Sequence, residues 1–360
     1  MRILIDIGHP AHVHIFKHFA WRMQEKGHTV LFTVRNKEHE IYLLNTYHFK
    51  SILFGKHFKS EIGKVFGLLK FNILLLRVSL KFKPDIFLSH GSIYAAQVSW
   101  ILRKPHISLE DTFNFEQIKL YKPFTDCILT ANYLHPDLGE KCINYSGYHE
   151  LAYLHPNLFT PDEKVRVLIG VGGEEKYSLL RFIAWDASHD VGHIGLSLEN
   201  KKLAIIKFLK FGKVFISSEK ELPDELEKYK IQIPPEKMHD AIAFSSLFFG
   251  ESATMASEAA VMGVPAVYLD NTGRYYTKDQ EEKYGLVYNY SENERDQLMA
   301  IEKGAELLGT PGIEYKWQAK RQKMLSDKIN VTEFLIWFVE NWPESFKIMK
   351  ENPQYQERFK

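Results

Sequence analysis

The sequence predicts an α/β protein of two doubly wound, Rossmann-like domains. Short apolar runs rich in β-branched residues alternate with helical patterns along the chain, as in a parallel sheet covered on both faces. The alternation falls into two series, one starting at residue 2 and one near residue 164. At 360 residues the chain can bury two cores of ordinary size.

In the first series RILIDIG (2–8) reads as a strand and HIFKHFAWRMQEKGH (14–28) as a helix closed by Gly27. TVLFTV (29–34), SILFG, PDIFLSHG (84–91), PHISLED (105–111) and TDCILTA (125–131) read as further strands. Helical stretches lie between them, the longest over roughly 59–82. In the second series VRVLIGVGG (165–173) reads as a strand ending in glycines. A helix around 197–211, KVFISS (213–218), a strand near 229–233, the helix EKMHDAIAFS, SLFFG, the helix TMASEAAVMG and the strand PAVYLD follow. RFIAWDA reads as helix or as internal strand. The Pro-, Tyr- and Asn-rich stretch 145–164 separates the series. The expected domains are therefore 1–150 and 151–329, with a helical segment 330–360 that packs back on the first. Two such domains joined by a linker place a cleft between the C-terminal edges of their sheets, where open α/β sheets bind ligands.

Composition excludes several classes. A 45% hydrophobic and 25% charged chain is an ordinary soluble globular protein. A net charge of +1 gives no global field for nucleic acid. Two cysteines, Cys127 and Cys142, make neither a metal spacing nor a disulfide framework and fit a reducing compartment. MRILIDIGHP reads as a first strand rather than a signal peptide. The most apolar segment, 65–80, contains Lys70 and Arg77 and is too short to span a bilayer. The expected location is cytoplasmic.

The stretch GESATMASEAAVMGVPAV (250–267) is a helix of small residues holding one acid, Glu258. SLFFG brings the chain to a sheet edge at Gly250, and Ser252, Ala253 and Thr254 open the helix. Unpaired N–H groups and the positive dipole end make such a helix start a site for a diphosphate, and Ser252 or Thr254 can cap it. Glu258 shares a face with Thr254, four residues earlier, where it could accept two bonds from a ribose diol. A plain capped helix with an exposed glutamate is the alternative.

The pattern Ser-Ala-x-Thr-x-x-Glu-x-x-x-x-Gly-x-Pro resembles the donor-site helix of GT-B glycosyltransferases, above all the enzyme adding N-acetylglucosamine to the lipid-linked peptidoglycan precursor. The resemblance implies a GT-B-like fold, a diphosphate contacted by Ser252, Ala253 and Thr254 with Glu251 beside them, and a ribose held by Glu258. The preceding EKMHDAIAFSSLFFG is similar to the helix and strand that lead into that site. GHPAHVHIFKHFAWRMQEKGHTV (8–30) resembles the first loop and helix of that superfamily, with His12 and Val13 matching a His-Val pair while Pro10 and Ala11 replace glycines. By this opening the chain is identified as similar to the family known as domain of unknown function 354. His12, Glu110 and Asp111 are the candidate catalytic groups, His12 as base or phosphate contact. His9, His12 and His14 invite a zinc reading, but no partner cluster accompanies them and the expectation is no metal.

PDIFLSHGSIYAAQVSWILRKPHISLED (84–111) resembles the matching region of non-hydrolysing UDP-N-acetylglucosamine 2-epimerases, which carry an acid after the His-Gly pair. Ser92 stands there, with Glu110, Asp111 or Glu116 able to supply others. In the second series Gly172 and Gly173 could approach a phosphate, Arg181, His189 and His193 could contact phosphate or sugar, and Asp279 and Gln280 could contact a donor sugar. The first expectation is sugar transfer from a nucleotide sugar, a UDP-sugar, in envelope or surface polysaccharide synthesis. The second domain would bind the donor and the first a sugar or lipid-linked acceptor, with no further cofactor. Epimerisation and nucleotide-sugar binding without catalysis are the alternatives. Residues 56–83 carry Lys56, Lys59, Lys64, Lys70, Arg77, Lys81 and Lys83 against Glu61 alone. This basic amphipathic stretch could lie on the inner face of a membrane.

Overall fold

The computed structural model describes residues 1–36, 38–56, 61–183, 193–218 and 221–360. The chain divides into one unit of residues 1–153 with 328–360 and a second of 154–327.

The first unit contains β1 (Arg2–Ile7), α1 (Pro10–Glu25), β2 (Thr29–Asn36), α2 (Glu40–Thr46), β3 (Ser51–Lys56), α3 (Glu61–Phe82), β4 (Ile86–His90), α4 (Ile93–Ile101), β5 (His106–Leu109), α5 (Phe115–Tyr121), β6 (Cys127–Ala131) and β7 (Cys142–Tyr145). Its strands form one parallel sheet in the order β3-β2-β1-β4-β5-β6-β7. Succession reverses between β1 and β4, so α1 and α2 cover one face while α3, α4 and α5 cover the other. One face packs Phe71 and Leu75 of α3 and Ala95 and Val98 of α4 onto Leu4, Phe54 and Phe87.

A short helical turn α6 (Leu151–Leu154) precedes the second unit. That unit contains α7 (Lys164–Leu168), β8 (Tyr177–Phe182), α8 (Leu198–Phe208), β9 (Lys213–Ser218), α9 (Asp224–Glu227), α10 (Met238–Ala243), β10 (Leu247–Gly250), α11 (Ala253–Met262), β11 (Ala266–Leu269), α12 (Tyr275–Tyr284), β12 (Val287–Tyr290), α13 (Glu294–Gly309) and α14 (Ile313–Asp327). Its parallel sheet runs β12-β11-β10-β8-β9, with the reversal between β8 and β10. The chain then returns to the first unit as α15 (Val331–Glu340) and α16 (Glu344–Glu351). α15 packs on α1, and Glu340 pairs with Lys26 at 2.6 Å and His28 at 3.1 Å.

Three readings from the sequence need correction. Residues 165–173 are not a strand: Lys164–Leu168 is a helix. Val167 and Leu168 face solvent while Val165 and Val171 are buried, so the run does not have the continuous burial of a central strand. The true strand is β8, which takes up Arg181 and Phe182 from the stretch read as RFIAWDA; its next residues, 184–187, lie outside the described residues. The strand near 229–233 reduces to one bridge, Ile216 to Lys230. The four-residue edge strands β7 and β12 had no separate signal.

Candidate functional site

In open parallel sheets a crevice forms outside the C-terminal strand ends where the succession reverses. Each unit has one such point.

In the first unit β1 ends at Ile7 and β4 at His90. The floor is a buried network. Asp6 accepts from the Thr33 hydroxyl at 2.7 Å and the Arg35 guanidinium at 2.9 Å, and from the Ser92 hydroxyl. Arg35 also donates to the Ile7 carbonyl and lies under Tyr94, 4.8 Å from the ring centre. Ser92 caps α4 by accepting from the Ala95 amide. A carboxylate in its place would face the Asp6 charge, which gives a physical reason for a hydroxyl here.

Above this floor stands an imidazole cluster. His90 Nε2 is 3.0 Å from one Asp111 oxygen and His149 Nδ1 is 3.0 Å from the other. His12 stacks on His90, with ring centres 4.6 Å apart. Burial lowers Asp111's affinity for its charge, but the two imidazoles outweigh that and hold its pKa well below the usual range. Burial likewise pulls His90 down, yet Asp111 raises it overall. His12 is pushed well below its ordinary value, first by burial and then by His90. It is therefore neutral at pH 7. Its Nδ1 accepts from the Gly8 amide at 3.3 Å, so Nε2 carries the ring proton. In that tautomer His12 donates, which suits a phosphate or other anionic oxygen, the second of the two roles the sequence offered, better than it suits a base.

Glu110 is also not placed as a base. One oxygen accepts from the amides of Thr112 and Phe113, and the other from the Tyr121 hydroxyl at 2.6 Å. It fixes the loop that presents Asp111. His9 and His12 keep their ring centres 5.9 Å apart, but His14, two residues on from His12, does not share its helix face. His9 caps α1 through the Ala11 amide, and His14 packs against Tyr47 and Tyr153. His90, Asp111 and His149 do converge, with ligand atoms within 4.8 Å of one another. Two direct hydrogen bonds already account for that convergence.

In the second unit β10 ends at Gly250, pressed against β8: a Cβ there would lie 2.1 Å from the Arg181 carbonyl oxygen. Glu251 follows, buried, and accepts from the amides of Ile183 at 2.7 Å and Leu196 at 2.6 Å. It pins both ends of the loop after β8, and burial raises its pKa. Ser252 caps α11 by accepting from the Met255 amide at 3.3 Å. Ala253 is N1 and Thr254 N2, so both stand at the sheet's C-terminal edge. Glu258 is buried, not exposed, and pairs with His239 Nε2 of α10 at 2.9 Å. A second acid, Glu292, accepts from His193 Nδ1 and from the amides of Ile194, Gly195 and Asn271. A cavity of about 410 Å³ opens beside these loops, lined by Phe182, His193, Lys201 and Glu221 among others. Lys201 Nζ lies over the Phe182 ring, 4.9 Å from its centre.

The remaining expectations separate. Arg181 is near the end of β8 and donates to Ser217 Oγ at 2.9 Å. Gly172 and Gly173 precede β8 instead of following a strand, so they lie at the opposite edge of the sheet from Ser252. Asp279 pairs with Lys283 at 2.6 Å, and buried Gln280 donates to Ser257 Oγ of α11 at 2.7 Å. His189 lies outside the described residues. Sequence reasoning missed Asp6, Arg35, His149, His239 and Glu292. Only His90, as the last residue of a strand before a glycine, carried a local signal.

The family model described as protein of unknown function DUF354 matches residues 1–284, and the chain belongs to that family. No curated protein matches the sequence. Among solved structures, S. aureus MnaA with UDP is similar at 12% identity and TM-score 0.70, over 96% of this chain and 97% of that one. The UDP-GlcNAc 2-epimerase of Methanocaldococcus jannaschii is similar at 14% identity and TM-score 0.61, over 90% and 99%. The spinosyn rhamnosyltransferase SpnG with spinosyn aglycone is similar at 13% identity and TM-score 0.60, over 95% and 100%, and SpnG with thymidine diphosphate at TM-score 0.59. At these identities the likeness establishes the fold, a GT-B-like α/β architecture.

Proposed function

We propose that this member of the DUF354 family is a nucleotide-sugar-dependent glycosyltransferase that takes a UDP-sugar on its second unit and an acceptor on its first. The observation that carries the proposal is the start of α11: a Ser252-capped helix at the reversal point of a parallel sheet, opened by Ala253 and Thr254. Its amides and dipole would hold the diphosphate and stabilise it as leaving group. Glu258 would accept from the ribose, its carboxylate oriented by His239; a carboxylate offers about four lone-pair sites, so one bond does not exhaust it. UDP and thymidine diphosphate in the similar structures support the ligand class.

On the first unit, His12 Nε2–H would donate to an anionic oxygen of the acceptor, a sugar or lipid-linked sugar of envelope or surface polysaccharide synthesis. The reading includes a cytoplasmic location with peripheral membrane contact through residues 56–83. A thermal-shift series across nucleotide sugars, followed by transfer assays with the stabilising donor, tests it. Stabilisation by a UDP-sugar is expected, and no response to any nucleotide sugar would remove the proposal.

One observation favours a second reading, nucleotide-sugar binding without transfer. Glu110 is engaged in its loop and His12 is set as a donor, so neither stands ready to take an acceptor proton. Tight binding with neither transfer nor hydrolysis would select it. Epimerisation is the other alternative, and Ser92 bonded to Asp6 speaks against an acid at that position. An NMR time course showing UDP-N-acetylglucosamine converted to its manno epimer would put it first.

A further inference from the structure

The helices on the two faces of the first unit's sheet end differently. On one face α1 is covered by α15 of the returning chain. On the other, α3, α4 and α5 form the outermost layer of the described chain. α3 buries Gly67, Phe71, Leu75 and Ser79, one residue per turn. Its opposite side presents Phe66, Leu69, Ile73 and Leu80, spaced three, four and seven residues apart and each 50–62% exposed. α4 adds Trp100 and Ile101, and α5 adds Phe115 and Leu120, all 44–62% exposed. Single exposed apolar residues are ordinary, but a contiguous set on neighbouring helices marks a contact surface.

The charges on this layer are mostly of one sign. Lys70, Arg77, Lys81, Lys83, Arg103, Lys104 and Lys119 are exposed. Among the described side chains of α3 and α4 there is no carboxylate, and α5 contributes only Glu116. Helices run back along a parallel sheet, so the ends of α3 and α4 reach the same edge of it. That edge carries Lys81 and Lys83 from the end of α3 and Trp100, Arg103 and Lys104 from the end of α4. A hollow of about 690 Å³ opens at this edge, lined by Trp100, Arg103, Lys104 and Phe124 among others. Asp126 also lines this hollow and accepts from the His106 amide, while Asp85 accepts from the Arg2 amide.

We propose that the outer layer of α3, α4 and α5 is a docking surface for an anionic lipid bilayer. Apolar side chains enter the acyl boundary, Trp100 sits at headgroup level, and the flanking Lys and Arg reach lipid phosphates. Cations alone would suit any polyanion, and apolar residues alone a second copy of the chain. The alternation of both, with no acid on α3 or α4 among described side chains, selects a surface that is apolar within and anionic at its rim. The inference rests on and extends the membrane contact proposed above for residues 56–83, and it is measured without nucleotide so that it can fail independently of sugar transfer.

The test is sedimentation of the full-length protein with vesicles of phosphatidylcholine, with and without phosphatidylglycerol, together with sedimentation velocity of the protein alone. Binding to the anionic vesicles at low salt is expected, with little binding to the neutral ones. It should weaken about fivefold for each cation neutralised in Lys81→Gln and Lys104→Gln, and fall as salt shortens the Debye length. Trp100→Ser should reduce binding, whereas Trp100→Phe should retain most of it while losing part of the fluorescence blue shift. Absence of binding at low salt, or binding indifferent to these variants, overturns the proposal. A dimer that Trp100→Ser dissociates, with no vesicle binding, assigns the face to a second copy instead.

Discussion

The two reversal points solve the same geometric problem with opposite chemistry. In the first unit a carboxylate, Asp111, gathers imidazoles, and the groups left at the surface are rings that donate or titrate. In the second unit carboxylates gather backbone amides: Glu251 ties the loop after β8, Glu292 ties residues 193–195, and the group left at the surface is a helix start. The first arrangement is a place for proton-sensitive contacts. The second is a fixed positive end whose charge does not depend on pH. An acid at the end of a strand is thus no indication of catalysis by itself; what it accepts from decides its role.

The largest expected effect comes from breaking the second arrangement. Glu251→Ala leaves the Ile183 and Leu196 amides buried without an acceptor, at about 1–3 kcal/mol each. Urea unfolding should show a loss of about 2–6 kcal/mol, with new protease cleavage near Ile183 and Leu196. A loss below about 1 kcal/mol would mean these amides find water instead.

Next is Asp111→Asn, which strips the imidazole cluster of its charge. His90 has a raised pKa in the folded chain, so its pairing stabilises fully below the unfolded value of about 6.5 and fades as pH rises through the raised value. Asp111 has a lowered pKa, so its contribution is full above about 3.9 and fades as pH falls through the lowered value. The wild type should gain most over the variant between about pH 4 and 6.5, and the gain should fade as pH rises through the raised His90 value. In the variant the His90 ring resonance should titrate at lower pH than in the wild type, since burial is then opposed only by Glu110 and a backbone hydrogen bond. A His90 titration unchanged by the variant would contradict the ion pair.

Ser252→Ala removes a single cap and should cost about 1 kcal/mol, read from the unfolding midpoint, with a parallel loss of UDP affinity. The smallest effect is expected from His12→Gln, which keeps a donor near the same place. It should leave UDP affinity unchanged while weakening the acceptor. A drop in UDP affinity would tie His12 to the donor instead.

Most of the strand order was legible because buried parallel strands are continuous apolar runs; RILIDI, FLSH and LFFG announce themselves. The edge strands CINY and VYNY are four residues long and mixed in polarity, so nothing local marks them. VRVLIGVGG misled because apolar content was taken for burial, while Val167 and Leu168 are exposed. The helix α11 was legible from Gly250 to Gly263, since caps, small residues and the break are local features. The partner of Glu258 was not: His239 lies 19 residues away on another helix, and no spacing rule links them. The imidazole cluster was half legible for the same reason. Asp111 was on the page, but His149 reaches it from 38 residues away, within a stretch that reads as a linker.

The central claim is that the start of α11 binds the donor diphosphate, and Thr254→Asp tests it most directly. An acid in the first turn favours the helix by a few tenths of a kcal/mol to about 1 kcal/mol, yet repels a diphosphate at the same amides. Calorimetry with UDP should therefore show at least about a tenfold loss of affinity in a variant whose melting temperature is equal or higher. A Thr254→Asp variant that stays folded and binds UDP as the wild type does would place the diphosphate elsewhere and contradict the account.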